Sequence, residues 1–248
     1  MTLAISDVPG DAPLDIASGP TVADPTTCAD ALAVLDRYGI DAPSRVVAAL
    51  LAGEWESIKP ADPRLGRSEY HIVAAPQQSL EAAARLAAAH GITPWILSDR
   101  LEGEARTVAC DMAGLVADVV REGQPVQPPC MLLSGGETTV TVRGPGRGGR
   151  NVEFLLALGI QLGSRENVFA LAGDTDGIDG MEPVAGAIWR PDTWRRAAAL
   201  GLDPNRFLED NDAHSFFAML GDSVVTGPTR TNVNDFRAVL VLPDASGS

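Results

Sequence analysis

Short apolar runs alternate along the chain with longer amphipathic stretches, and glycine and proline separate them. Thr2 to Val8 reads as a short buried strand ending in the polar turn Ser6-Asp7-Val8-Pro9-Gly10-Asp11. A loop containing Ser18-Gly19-Pro20-Thr21 runs to Pro25. Thr26 or Thr27 can N-cap a helix to Tyr38, with Gly39 behind it, and Pro43-Ser44 opens a shorter helix ending near Gly53. Pro60 to Gly66 is a candidate linker, so residues 1–60 and 61–248 are expected to be separate domains. Beyond it the pattern predicts strand Tyr70–Ala75, helix Ser79–His90, strand Pro94–Ser98 and helix Gly103–Glu122. That β-α-β-α order implies parallel strands covered by helices. After the break Gln124–Pro129 come two expected strands, Met131–Ser134 and Thr138–Arg143, around Gly135-Gly136. A helix Asn151–Leu162 and a strand Val168–Ala172 follow. Helices near Pro191–Leu200, Pro204–Leu208 and Ala213–Leu220, then strands near Ser223–Val225 and Arg237–Leu242, close the chain. The expected fold is α/β: a largely parallel, Rossmann-like sheet with helices on both faces, preceded by a smaller part of a second α/β domain.

The 248 residues are 45% hydrophobic. A globule of this length buries about 70% of its chain surface, enough for a core without disulfides. With 33 acidic and 19 basic residues the net charge is −14, which argues against a nucleic-acid partner. No run of 18 apolar residues is present to span a membrane, and the start has no signal-peptide pattern. Cys28, Cys110 and Cys130 lack a CxxC spacing and read as reduced thiols of a cytoplasmic protein. His71, His90 and His214 share no zinc-binding spacing.

Against the acidic background, Arg143-Gly144-Pro145-Gly146-Arg147-Gly148-Gly149-Arg150-Asn151 packs three arginines and four glycines into nine residues between a strand and a helix. Glycine lets backbone N–H groups approach an anion, a helix start carries partial positive charge, and arginine offers a bidentate fork. The stretch reads as an anion-binding loop. Gly144, Gly146 and Gly149 also match GxGxxG, with Asp174 as a possible ribose acid, but it lies 25 residues on and arginines are foreign to that fingerprint. Gly173-Asp174-Thr175-Asp176-Gly177-Ile178-Asp179-Gly180 sets three carboxylates beyond a strand end, suited to binding magnesium or taking a proton. Ser134-Gly135-Gly136-Glu137 permits close approach by a ligand. The stretch from Thr226 through Thr231-Asn232 to Asp235 is rich in hydroxyls and amides that could orient a polyhydroxylated ligand.

Taken together, SDVPGD (6–11), ASGPT (17–21), DPTT (24–27), ILSDRLEGEAR (96–106), LSGGETTVTVRGPGRGGRN (133–151), GDTDGIDG (173–180), TGPT (226–229) and TNVND (231–235) resemble the glycerate kinases of the MOFRL type. The resemblance covers nearly the whole chain. It implies ATP- and magnesium-dependent phosphorylation of the 2-hydroxyl of glycerate. Under it, Arg150, helped by Arg147, Gly148, Gly149 and Asn151, holds phosphate or the glycerate carboxylate. Asp174 or Asp176 binds magnesium or takes the hydroxyl proton. Ser134, Gly135, Gly136 and Glu137 line the cleft with Thr175, Asp179, Thr231 and Asn232, and Asp7, Asp11 and Ser18 face it. The family is longer, with a region ahead of SDVPGD that holds an important lysine. On that basis the chain is expected to lack a segment, to expose apolar surface, and to aggregate or form a tight homo-oligomer. Val152 and Arg230 depart from the family pattern. Two other readings stand beside the kinase: a weak or inactive truncated relative that still binds ligand, and an NAD(P)H-dependent hydroxypyruvate reductase resting on GxGxxG.

Overall fold

Local signals set most of the helices. The Thr27 hydroxyl accepts from the Asp30 N–H at 3.2 Å while the Asp30 carboxylate accepts from the Thr27 N–H at 2.8 Å, a reciprocal cap that starts helix α1 (Cys28–Arg37). Helix α2 (Ser44–Ala52) closes on Gly53 in the left-handed region. These helices, with strand β1 (Thr2–Ile5) and strand β2 (Tyr70–Ala74) paired as a two-stranded sheet, make up most of one compact unit, Met1–Ala4 with Gly10–Val73. The computed structural model describes residues 1–244; residues 245–248 of the expected second domain lie outside the described residues.

The second unit comprises Ile5–Pro9 and the chain from Ala74 onward. Its elements are α3 (Pro76–Ala89), β3 (Thr93–Glu104), α4 (Ala105–Glu122), β4 (Cys130–Thr139), α5 (Arg150–Leu162), β5 (Val168–Asp174) and β6 (Gly186–Trp189), then α6 (Thr193–Ala199), α7 (Pro204–Glu209), α8 (Ala213–Leu220), β7 (Ser223–Val224) and β8 (Asp235–Val241). Six strands form one sheet in the order β3-β4-β8-β5-β6-β7. The α/β class holds, with helices on both faces. The expected largely parallel sheet does not: only β3 and β4 pair in parallel, and the other four pairings are antiparallel. The reason is the last strand. β8 inserts between β4 and β5 and runs against both, so those two point the same way without touching.

Three further expectations change. Tyr70–Ala74 leaves the large sheet for the small one. The two strands around Gly135-Gly136 are one continuous strand, β4, in which Gly136 (φ 119°) lets the backbone of Leu101 pass where a Cβ would stand. The strand expected to stop at Ser98 continues to Glu104 through register shifts beside that glycine, which delays the next helix to Ala105.

α5 is the central helix. Its residues Asn151 to Gly159 are all buried, so it is covered on every side rather than striped, as a helix enclosed by other elements is. It packs with α4 against the sheet face that carries Leu132, Ala170, Val239 and Val241. Leu133 alternates to the opposite face, where α3 covers β3 and β4. Gly159 admits the Trp189 ring to the helix backbone: a Cβ there would overlap the ring carbons. Trp194 meets Trp189 edge-on at 5.2 Å and donates its indole N–H to the Gly163 carbonyl at 2.9 Å, which fixes the pair. Gly159→Ala is therefore expected to lower unfolding stability by about 1–3 kcal/mol through overpacking, read as a shifted denaturant midpoint with the slope unchanged.

Candidate active site

The carboxyl ends of β4 and β5 and the start of α5 meet at one edge of the large sheet, the edge where open α/β sheets take ligands. A cleft of about 520 Å³ opens there within the second unit, bordered by Glu137, Arg150, Glu153, Asp174, Asp176 and Asn232. Arg150 organises it. Its Nε donates to Asp235, its Nη1 to Glu137 and its Nη2 to Asp174, each at 2.7 Å. Asp235 is the buried end of this clamp. Its Oδ1 also accepts from the Asn151 side-chain amide at 2.7 Å, and its Oδ2 takes the Arg237 guanidinium. Arg237 is fully buried on β8, stacks over the Phe154 ring at 5.0 Å, and donates to the Thr138 hydroxyl at 2.9 Å.

The charges shift one another as their burial requires. Desolvation raises the Asp174 carboxyl to about 6, against the opposing pull of the Asp176 N–H and Arg150. Desolvation would lower Arg150, but Asp235, Asp174 and Glu137 hold it above its ordinary value. Burial draws the Arg237 guanidinium down, with Asp235 working against that.

The first part of the glycine-arginine loop is held by the 210–212 segment. Four of its N–H groups reach protein oxygens: Arg143 and Gly144 donate to Asn211 Oδ1 at 2.7 and 3.0 Å, Gly146 to the Asp210 carbonyl at 2.9 Å, and Arg147 to Asp212 at 2.8 Å. A Cβ on Gly144 or Gly146 would lie 2.5 Å from Asp210, and one on Gly149 would overlap the Asp179 carboxyl. The Arg147 side chain forks onto Glu182 at 2.7 and 2.5 Å. The start of α5 already holds an anion, because Asp179 accepts from the Asn151 and Val152 N–H groups at 3.0 and 2.9 Å. A dinucleotide pyrophosphate would need those same amides, so GxGxxG here is a packing pattern. That removes the support for the reductase reading.

Of the other expected residues, Asp176 and Asn232 border the cleft with Gly148 and Gly149. Thr175 Oγ1 donates to the Asn234 carbonyl at 2.8 Å and accepts from the Val233 N–H at 2.9 Å, tying the 231–235 segment to β5. Asp7 and Thr231 line a shallow hollow next to Asp176, and the Asp7 carbonyl accepts from the Asn234 amide at 2.6 Å. Ser134 is fully buried inside β4, and Gly135 faces the backbone of Asp235 and Asp99. Asp11 and Ser18 belong to the first unit, both at positive φ. Arg237, Asn211 and Glu153 were not anticipated, and Asp235 only as the end of a polar stretch. The signal was available for two of them: Asp235 and Arg237 stand two apart on the face that Val239 and Val241 continue, a polar pair on an otherwise apolar stripe.

A model of the MOFRL family matches residues 130–235, and one of a domain of unknown function (DUF4147) matches residues 1–51. A glycerate kinase of Macaca fascicularis is 34% identical over 98% of this chain and 72% of its own. The chain belongs to the MOFRL glycerate kinase family. A solved glycerate kinase of Thermotoga maritima superposes with a TM-score of 0.89 at 37% identity, covering 97% of this chain and 56% of its own. A protein of Agrobacterium vitis named putative hydroxypyruvate reductase is 51% identical over 97% of this chain and 55% of its own. The chain spans about half the length of most of the curated relatives it matches. Among the described residues, no helix is long and apolar enough to cross a membrane.

Asp179 yields a prediction of opposite sign to that for most structural carboxylates. Burial, the largest cause, raises it from 3.8 to about 6 despite the two N–H donors. Between those values the folded chain keeps a proton that the unfolded chain has released, so stability falls as pH rises from about 4 to 6 and is level above. Asp179→Asn loses the titration and one acceptor for α5. It is expected to be less stable than the parent by about 1 kcal/mol or more at pH 4. The gap should shrink by up to about 3 kcal/mol by pH 7, as read from denaturant midpoints across the pH series.

Proposed function

We propose that the chain catalyses ATP-dependent phosphorylation of glycerate at its 2-hydroxyl, giving 2-phosphoglycerate. The observation that carries this is Arg150, fixed at the cleft by three carboxylates with two of its five N–H bonds to spare, in a chain whose relatives include a D-glycerate 2-kinase. In this reading Arg150 takes the glycerate carboxylate, and Glu137, the exposed member of its clamp, yields to it. Asp174, bonded to the same guanidinium, then stands beside the C2 hydroxyl. As the hydroxyl oxygen bonds to the γ-phosphorus and the bridging bond to ADP breaks, the hydroxyl proton passes to Asp174. A carboxyl raised to about 6 is ionised at neutral pH yet basic enough for that transfer.

The donor set suits magnesium. Asp174 and Asp176 are hard oxygen ligands on one loop, and this ion commonly takes one or two carboxylates and completes its shell with water and substrate phosphates. Asp176 would hold it, leaving Asp174 for the proton, and it would offset nucleotide charge beside a wall richer in carboxylates than in cations. The three cysteines are free thiols among the described residues, the state a reducing cytoplasm maintains, and that location belongs to the same reading.

The test uses this chain with ATP, magnesium and D-glycerate, followed by phosphorus NMR. A 2-phosphoglycerate signal is expected, and its absence with folded protein would overturn the reading for this chain. NADPH oxidation with hydroxypyruvate is expected to be nil. Arg150→Ala should lower kcat/KM at least tenfold, about 1.4 kcal/mol or more of transition-state binding. The parent's kcat/KM should fall below about pH 6 as Asp174 protonates, and Asp174→Asn should abolish that limb together with most of the rate.

A further inference from the structure

We propose that Glu153 is a substrate-contacting residue: it hydrogen-bonds the 3-hydroxyl of glycerate and makes the site select for a hydroxyl at C3. The inference rests on the kinase reading and adds to it a subsite for the far end of the acceptor.

Glu153 is an acid in the middle of an apolar helix, 1% exposed. Its Oε1 is fully engaged, accepting from Arg106 Nε at 2.6 Å and from the Asn211 amide at 3.0 Å. Arg106 is itself anchored on the Leu208 carbonyl at 2.5 Å, so the carboxylate cannot swing freely. Its Oε2 is buried without a hydrogen-bond partner among the described residues, yet the residue borders the cleft. Native interiors rarely leave such an oxygen bare, and at a cleft wall the missing partner is a group that arrives with the ligand.

The spacing selects the ligand. Arg150 and Glu153 are three apart on α5, neighbours on one face with Cβ atoms about 5–6 Å apart. In glycerate a single carbon stands between the carboxylate and the carbon bearing the 3-hydroxyl. With the carboxylate on Arg150 and the C2 hydroxyl toward Asp174, the third carbon points its hydroxyl toward the next turn of α5. The hydroxyls of a nucleotide are separated from the terminal phosphate by the whole triphosphate and the 5′ carbon, too far to bridge two adjacent helical turns. Lactate has the same carboxylate and 2-hydroxyl but a methyl at C3, and would leave Oε2 bare.

The experiment is titration calorimetry of the chain with D-glycerate and with D-lactate, with and without magnesium and a non-hydrolysable ATP analogue, repeated on Glu153→Gln. The parent is expected to bind glycerate at least tenfold more tightly than lactate. Glu153→Gln, which offers the 3-hydroxyl a neutral bond in place of a charge-assisted one, should weaken glycerate severalfold and change lactate less than about twofold. The parent's own comparison needs no variant, so the proposal stays testable if the substitution unfolds the protein. Equal binding of the two acids by the parent, equal weakening of both in the variant, or no binding of either would overturn the subsite. A loss of affinity for 2′-deoxy-ATP that vanishes in the variant would assign Glu153 to the nucleotide and overturn it as well. Phosphorylation of glycerate without discrimination sinks the subsite and leaves the kinase reading. Discrimination without phosphorylation sinks the kinase reading and leaves the subsite.

Discussion

The Asp235 carboxylate lies between two arginines, and the arrangement of the cleft follows from it. One oxygen holds Arg150 and Asn151, the first two residues of α5; the other holds Arg237, which is wholly buried. Removing one partner from such a group leaves an uncompensated buried charge, typically at a cost of 3–5 kcal/mol. Replacing the whole set with apolar residues would cost little or even stabilise the fold. A polar knot in the middle of an apolar sheet face is thus a poor way to gain stability. What it does is fix the direction of Arg150, which projects from a helix start into the cleft and would otherwise sweep a wide arc.

The same constraint accounts for the strand order. Asp235 begins β8 opposite Gly136 of β4 and Asp174 of β5. Because β8 sits between those strands, their carboxyl ends flank its first residue and bring Glu137 and Asp174 to the two free sides of the Arg150 fork. A parallel neighbour in that position would have presented its far end. The antiparallel insertion that departs from the expected topology is therefore what brings three carboxylates to one guanidinium.

Elements set by local chemistry were legible in the sequence. The Thr27 cap, the Gly53 stop, α8 from Ala213 to Leu220 and the end of α5 at Leu162 agree with the residue pattern. So was the gathering of Arg150, Asp174, Asp176 and Asn232 about one cleft, since each stands on a stretch whose composition asked for a cause. Long-range facts were not legible. Nothing near residue 235 announces that its strand will part β4 from β5, and Gly144, Gly146 and Gly149 look alike whether they admit a ligand or the backbone of Asp210 and the carboxyl of Asp179. A glycine reports that something comes close; which group does so is a tertiary fact.

That ambiguity bears on how an acidic protein handles anions. The arginine-glycine stretch is the most basic part of a chain of net charge −14, yet Arg147 is spent on Glu182 and the start of α5 on Asp179. Of the three arginines in that stretch Arg150 borders the cleft, and its pairing with Asp235 holds it above its ordinary value and aimed. One oriented guanidinium in a partly buried cleft is more directional than a diffuse basic patch, because its fork geometry matches a planar carboxylate. Internal acids that take up the Arg147 side chain and the start of α5 thus leave Arg150 as the one guanidinium of that loop at the cleft.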